Sequence, residues 1–317
     1  MKRTTFLSLC LAASIAPLAQ GEPFHTIAPG IILEDARGRI YLMDRVGRTR
    51  ALELGTGSVL WRSSEAAMPL GLLGDVLVAL DGRKGLGGMR LLALDPRDGA
   101  LRAERDVPMP TEIRARTRPG IADRFEMIAV PNGSSLELRW HYQRRSVRGA
   151  PAVNEESFAA AEVLSRAGAF SVSWDGAMMA IGENVNLPPD SAAFSIRIPA
   201  EALRTGQEAP LQRLSADGST VMISEPGAPS GHGPVFRWRI LGRDGSFLGE
   251  LLSHYGSAPF VVREGLLLYR RNPLLLVGEN GGLIEQGSRL IAWDLATASE
   301  RWAVEVSELA YFGPAPP

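Results

Sequence analysis

Six aspartates stand where a carboxylate could do chemistry: Asp95, Asp98, Asp175, Asp217, Asp244 and Asp294. Clustered carboxylates can move protons or hold calcium, but calcium takes about six to eight oxygens at short range. No stretch of this chain concentrates acids in that way. Each of the six instead sits in a turn-like run such as Asp98-Gly99 or Asp244-Gly245. There an Asp side chain accepts amides two residues on and closes a hairpin. The sequence therefore assigns all six to turns.

The other reactive groups are sparse. The four histidines are His25, His141, His232 and His254, and none forms a His-x-x-x-His pair. His232 lies in "APSGHGPVF", a Gly/Pro loop from which an imidazole could contact a ligand or partner. The single cysteine is Cys10. No Gly-x-Ser-x-Gly elbow or His-Glu-x-x-His helix is present. "GTGSVLW" and "GLGGMR" are Gly-rich, but neither completes a phosphate cradle. No catalytic, cofactor-binding or metal-binding residue is assigned, and no cofactor is expected.

Arginine supplies nearly all the positive charge, lysine occurring only at Lys2 and Lys84. "RWHYQRRSVR" interleaves Arg with aromatics, and "IRARTR" spaces Arg114, Arg116 and Arg118 at alternate positions. Such runs can stack bases and hold phosphates. A net charge of −1 lacks the basic footprint of a nucleic-acid binder, so no nucleic acid is expected. The alternative puts Trp140 and Tyr142 in the core and leaves a solvated strand face. Arg144, Arg145, Arg148 and His232 are kept as candidate partner-binding residues.

What must position these residues is legible from repetition. "ALELGTGSVLW", "ALDPRDGALRA" and "AWDLATASERW" spell one unit: an apolar strand, a polar turn around Gly57, Gly99 or Ala298, then a second strand. "FSVSWDGAMMAIG" around Gly176, "QRLSADGSTVMIS" around Gly218 and "IAVPNGSSLELRW" around Gly133 spell another. Asp-Gly and Asn-Gly supply the positive φ a tight hairpin needs. Two alternating hairpins make a four-stranded antiparallel sheet. Such sheets bury both faces only when stacked around an axis. The expected fold is all-β, a single β-propeller over residues 22–317. Turns paired at about 38/57, 74/99, 133/149, 176/206, 218/245 and 265/298 give six blades, with seven as the alternative. "RWAVEVSELAYFG" is expected to close against the first blade. Residues 150–168 read as a helical or irregular insertion, with a strand pair filled by alanines as the alternative, and 313–317 as a loose tail.

The N-terminus reads as a secretory signal. Lys2 and Arg3 precede an apolar run from Phe6 to Ala19, and Ala19-Gln20-Gly21 is a small-x-small cleavage site. Residues 1–21 are thus expected to be removed after Gly21, leaving a periplasmic or secreted chain without thiols or disulfides. No later run reaches the roughly 18 apolar residues of a membrane span.

The repeats "RLLALDPRDGAL" and "RLIAWDLATASERW" resemble those of pyrrolo-quinoline-quinone-type propellers, the quinoprotein alcohol dehydrogenase-like group. "SADGSTVMIS" and "SWDGAMMAIG" are similar to YVTN- and WD-type propeller repeats. These motifs are structural and imply a fold without transferring a catalytic residue. Quinone-dependent members hold cofactor and Ca²⁺ in the central funnel, several with a vicinal Cys pair that this chain lacks. The chain also resembles in outline the envelope propellers that assist outer-membrane protein assembly, without their lipid-anchored Cys. The expected function is a non-catalytic binding or scaffold module of the bacterial envelope, with an envelope or extracellular protein as partner. The alternative is a quinone- or metal-dependent oxidoreductase, or a hydrolase or lyase, with its site in the funnel.

Overall fold

The computed structural model describes residues 24–81, 89–107, 109, 121–146, 162–188, 211–227, 235–277 and 283–307. The expected signal peptide, the 313–317 tail and the turn positions Gly149 and Gly206 lie outside them. The described chain folds into five antiparallel sheets of four or five strands, each of which adds strands largely in chain order.

The first sheet holds β1 (His25–Ala28), β2 (Ile31–Glu34), β3 (Arg39–Met43), β4 (Thr49–Glu53) and β5 (Val59–Arg62). The second holds β6 (Ala66–Leu73), β7 (Val76–Asp81), β8 (Arg90–Leu94) and β9 (Leu101–Asp106). The third holds β10 (Ile121–Asn132), β11 (Ser135–Ser146), β12 (Glu162–Trp174), β13 (Met179–Ile181) and β14 (Val185–Leu187). The fourth holds β15 (Leu211–Leu214), β16 (Thr220–Pro226), β17 (Phe236–Gly242) and β18 (Phe247–Ser253). The fifth joins β19 (Phe260–Arg263), β20 (Leu266–Arg271), β23 (Arg289–Asp294) and β24 (Ser299–Glu305), with the hairpin β21 (Leu274–Val277) and β22 (Leu283–Gln286) inserted between.

The strand order follows hydropathy. "LLGDVLVAL" has no polar alternation, and β6 and β7 are buried along their whole length. Such continuous apolar runs belong to strands covered on both faces. β9, "LRAERD", is exposed at all but one position and forms the rim of its sheet. Glycines with positive φ at 38, 57, 74, 99, 133, 176, 218, 245 and 265, and Ala298, mark the hairpins as the sequence predicts.

The pairing of the turns differs in one place. Gly133 and Gly176 belong to one sheet, because β11 runs directly into register with the long strand β12. The described turns thus pair as 38/57, 74/99, 133/176, 218/245 and 265/298. The expected insertion at 150–168 is corrected in part: Glu162–Gly168 is strand, paired with Ser146 through Trp140 of β11. The helix reading followed the Ala-rich local propensity, and cross-strand pairing overrode it.

The sheets pack against one another in the order fourth, fifth, first, second, third. Three core clusters fill the seams: one across the first three sheets, one between first and fifth, one between fourth and fifth. The last strand closes on the first sheet as expected. Val306 bridges to Asp44, and the Ser307 amide donates to the Met43 carbonyl at 3.0 Å.

Candidate functional site

One local device builds four of the rims. In the first, second, fourth and fifth sheets the register slips once between the last two strands: at Ala51/Leu52, Ala93/Leu94, Ile240/Leu241 and Ala292/Trp293. The extra residue is Leu60, Arg102, Leu248 or Arg301. A bulge re-aims the residue that follows it. That residue stands four positions after the turn glycine or its counterpart: Trp61, Ala103, Gly249 and Trp302.

Two of these positions hold the seams with an indole. Trp61 lies over Gly99 of the second sheet and donates Nε1 to the Pro96 carbonyl at 3.0 Å. Trp302 lies over Gly57 of the first sheet and donates to the Leu54 carbonyl at 2.9 Å. A Cβ on Gly99 would stand 2.6 Å from the Trp61 ring, and one on Gly57 2.7 Å from Trp302. At the seam of fourth and fifth sheets the roles reverse. Gly249 occupies the tryptophan position, and Leu295, the counterpart of Leu54, fills the slot.

Charges lace the same seams. Arg263 bonds both oxygens of Asp35 at 2.9 Å and also reaches Asp217, so one guanidinium links the first, fourth and fifth sheets. His25 Nε2 lies 3.2 Å from Asp35. Burial raises the Asp217 pKa, but hydrogen bonds from Ser215, Ser219 and Arg263 outweigh it and hold the carboxyl well below the usual range. Asp95 is depressed in the same way, chiefly by its hydrogen bond from Arg97, with Arg102 adding to the effect.

The six aspartates behave as the turn reading predicts. Asp95 accepts the Arg97 amide, Asp98 that of Ala100, Asp175 those of Ala177 and Met178. Asp217 accepts from Ser219, Asp244 from Ser246, and Asp294 from Ala296 and Thr297. Among the described residues, no three His, Cys, Asp or Glu side chains gather so as to hold a metal ion.

Trp140 and Tyr142 are fully buried, as the alternative reading of "RWHYQRRSVR" required. Arg144 and Arg145 lie on β11, opposite Asp123 and Ala122 of β10. Arg148, His232 and the "IRARTR" arginines lie outside the described residues. Of the four candidate residues, Arg144 and Arg145 are the ones among the described residues, and they are neighbours on β11.

The surface that stands out was not singled out in the sequence. One face of the fourth sheet packs on the fifth through Met222, Trp238, Ile240 and Leu251. On the opposite face the register aligns Leu214, Val221, Leu241 and Phe247 in one row across all four strands. Leu214 and Phe247 at its ends are 57% and 61% exposed, and Leu252 further along β18 is 67% exposed. The Arg239–Glu225 ion pair, 2.7 Å, lies beside the row. The signal in the sequence was the alternation "FRWRILG", which places Trp238 and Ile240 inward. Only strand pairing shows that the outward positions align with further apolar residues.

Five meandering antiparallel sheets, joined side by side with the last against the first, define a PQQ-like β-propeller protein. Residues 22–125 match the model of a family described as outer membrane protein assembly factor BamB. No curated protein matches the chain. Among solved structures, BamB from Moraxella catarrhalis is similar at 13% identity and TM-score 0.26, over 83% of this chain and 81% of that one. The β-propeller domain of Cps50 (Swd1) from Myceliophteria thermophila is similar at 11% identity and TM-score 0.27, covering 91% and 87%. A europium-containing methanol dehydrogenase is similar at 12% identity and TM-score 0.22, covering 86% and 68%.

Proposed function

We propose that this chain is an exported, protein-binding propeller that serves as a scaffold in the bacterial envelope. The observation that carries the reading is the apolar row Leu214–Val221–Leu241–Phe247, with Leu252 further along β18, on the face of the fourth sheet turned away from the fifth. Isolated exposed apolar residues need no explanation, but a contiguous row rimmed by charges is the usual make-up of an interaction surface. The match of residues 22–125 to an assembly-factor family supports a partner that is a protein. The N-terminal run from Lys2 to Gly21 supports export.

The test is cross-linking in envelope preparations from a bacterial host that makes the protein, with a photoreactive residue placed at Leu214 or Leu252. A discrete cross-linked protein is expected from both positions. It should disappear when Phe247→Asp and Leu241→Asp are introduced, with the circular dichroism of the variant unchanged. Capture that survives both substitutions would remove this face from the proposal. A tightly bound quinone or stoichiometric metal in the purified protein would replace the scaffold reading with the enzyme one.

A further inference from the structure

The third sheet differs from the other four in strand length. β10 and β11 have twelve residues each and β12 thirteen, against four to eight in the other sheets. Near one end, buried Phe125 and Tyr142 pair across β10 and β11, and Tyr142 pairs with Arg166 of β12. Beyond this row the three strands continue through Ile121–Arg124, Gln143–Ser146 and Glu162–Ser165. At about 3.3 Å per residue this adds roughly 13 Å of ribbon.

This extension has an open edge among the described residues. β14 pairs with β12 at Ala167, Gly168 and Ala169. Continued in register, it would next place Pro188 opposite Arg166, and Pro189 follows. Proline has no amide to donate and ends a ladder. From Arg166 outward to Glu162, β12 is paired on one side with β11, and among the described residues no strand pairs on the other. An unpaired edge is a template for an added strand.

The edge is also basic. These three stretches, with Arg166 at their base, hold four arginines, Arg124, Arg144, Arg145 and Arg166, against two acids, Asp123 and Glu162. The chain as a whole carries −1. Arg166 is exposed, and its guanidinium donates to the neighbouring Ser165 carbonyl at 3.1 Å.

We propose that the extended end of the third sheet, along Glu162–Arg166 of β12, binds an extended acidic segment of a partner protein by strand addition. The inference deepens the protein-binding reading and rests on it, but it places a second contact away from the apolar row. Backbone groups of the edge supply the pairing, and the arginine positions select acidic side chains at alternate residues. A membrane surface would satisfy the charge but not the backbone edge, which favours the peptide.

The test uses the full mature chain and a fluorescent synthetic peptide of alternating Glu and Val, read by anisotropy. Saturable binding is expected, weakening as salt rises. Arg144→Glu with Arg145→Glu should weaken it about tenfold or more through like-charge repulsion. A peptide with proline at alternate positions should not bind. Arg166→Glu serves as the second variant if the double one loses its native circular dichroism. Undiminished binding in the charge-reversed protein, or equal binding of the proline peptide, would overturn the proposal. So would binding to phosphatidylglycerol vesicles in place of the peptide. Amide exchange in the free protein as slow at 163–165 as at 167–169 would also overturn it, since the edge would then be occupied already. Loss of this peptide site with the Leu214 and Leu252 cross-links intact would leave the scaffold reading standing.

Discussion

The seam between the first and second sheets and the seam between the fourth and fifth fill the same slot from opposite sides. In the first, the outer strand provides Trp61 and the turn provides Gly99. In the second, the outer strand provides Gly249 and the turn provides Leu295. The bulge that aims the residue is the same in both. What the fold requires is one large apolar group per slot, and it accepts either neighbour as the donor. The difference has a cost in hydrogen bonding. Trp61 caps a turn carbonyl, while the leucine that replaces it cannot.

The largest effect that would sharpen this comparison is loss of an indole. Trp61→Ala and Trp302→Ala should each destabilise by about 3–5 kcal/mol in urea unfolding, combining a cavity with a freed carbonyl. A loss below about 1 kcal/mol at both would break the seam assignment. Leu295→Ala, with a smaller side chain and no hydrogen bond, should cost about 2–3 kcal/mol. Gly249→Ala works on the same slot from the other side. Its Cβ would meet the Cβ, Cδ2 and carbonyl of Leu295 at 3.0 Å, so about 1–3 kcal/mol is expected. Equal stability of Gly249→Ala and the parent protein would mean that this seam is looser than the tryptophan ones.

Acid should act through the depressed carboxylates. Asp217 and Asp95 bind protons less tightly folded than unfolded. Their contribution is therefore complete above the ordinary Asp range near pH 4 and is lost as pH falls below it. Asp217→Asn should remove part of that slope and cost about 1 kcal/mol at neutral pH, discounted because Arg263 keeps Asp35. An unchanged acid slope in this variant would show that the three-sheet link adds nothing. The smallest effect on stability is expected at the exposed row. Phe247→Asp should shift it by no more than about 0.5 kcal/mol while abolishing partner cross-linking.

Much of the fold was readable because its turns are chemically explicit. Asp-Gly and Asn-Gly marked the hairpins, and the six aspartates do what their positions imply. The misreading at 162–168 arose where local composition was ambiguous: alanines suit a helix, and only β11 lying alongside makes them strand. The exposed apolar row was hidden for a related reason. Leu214, Val221, Leu241 and Phe247 come from four strands, and their alignment depends on three registers and one bulge.

The sequence by itself determined that this protein is all-β, where its hairpins turn, and which residues are apolar enough to be inside. Those properties are local, since φ preference, amide capping and side-chain alternation act over a few residues. Only the tertiary structure decided which hairpins share a sheet, which neighbour fills each seam, and which apolar residues stay outside. Those choices depend on contacts between segments distant in the chain, where several pairings bury similar area and register alone separates them.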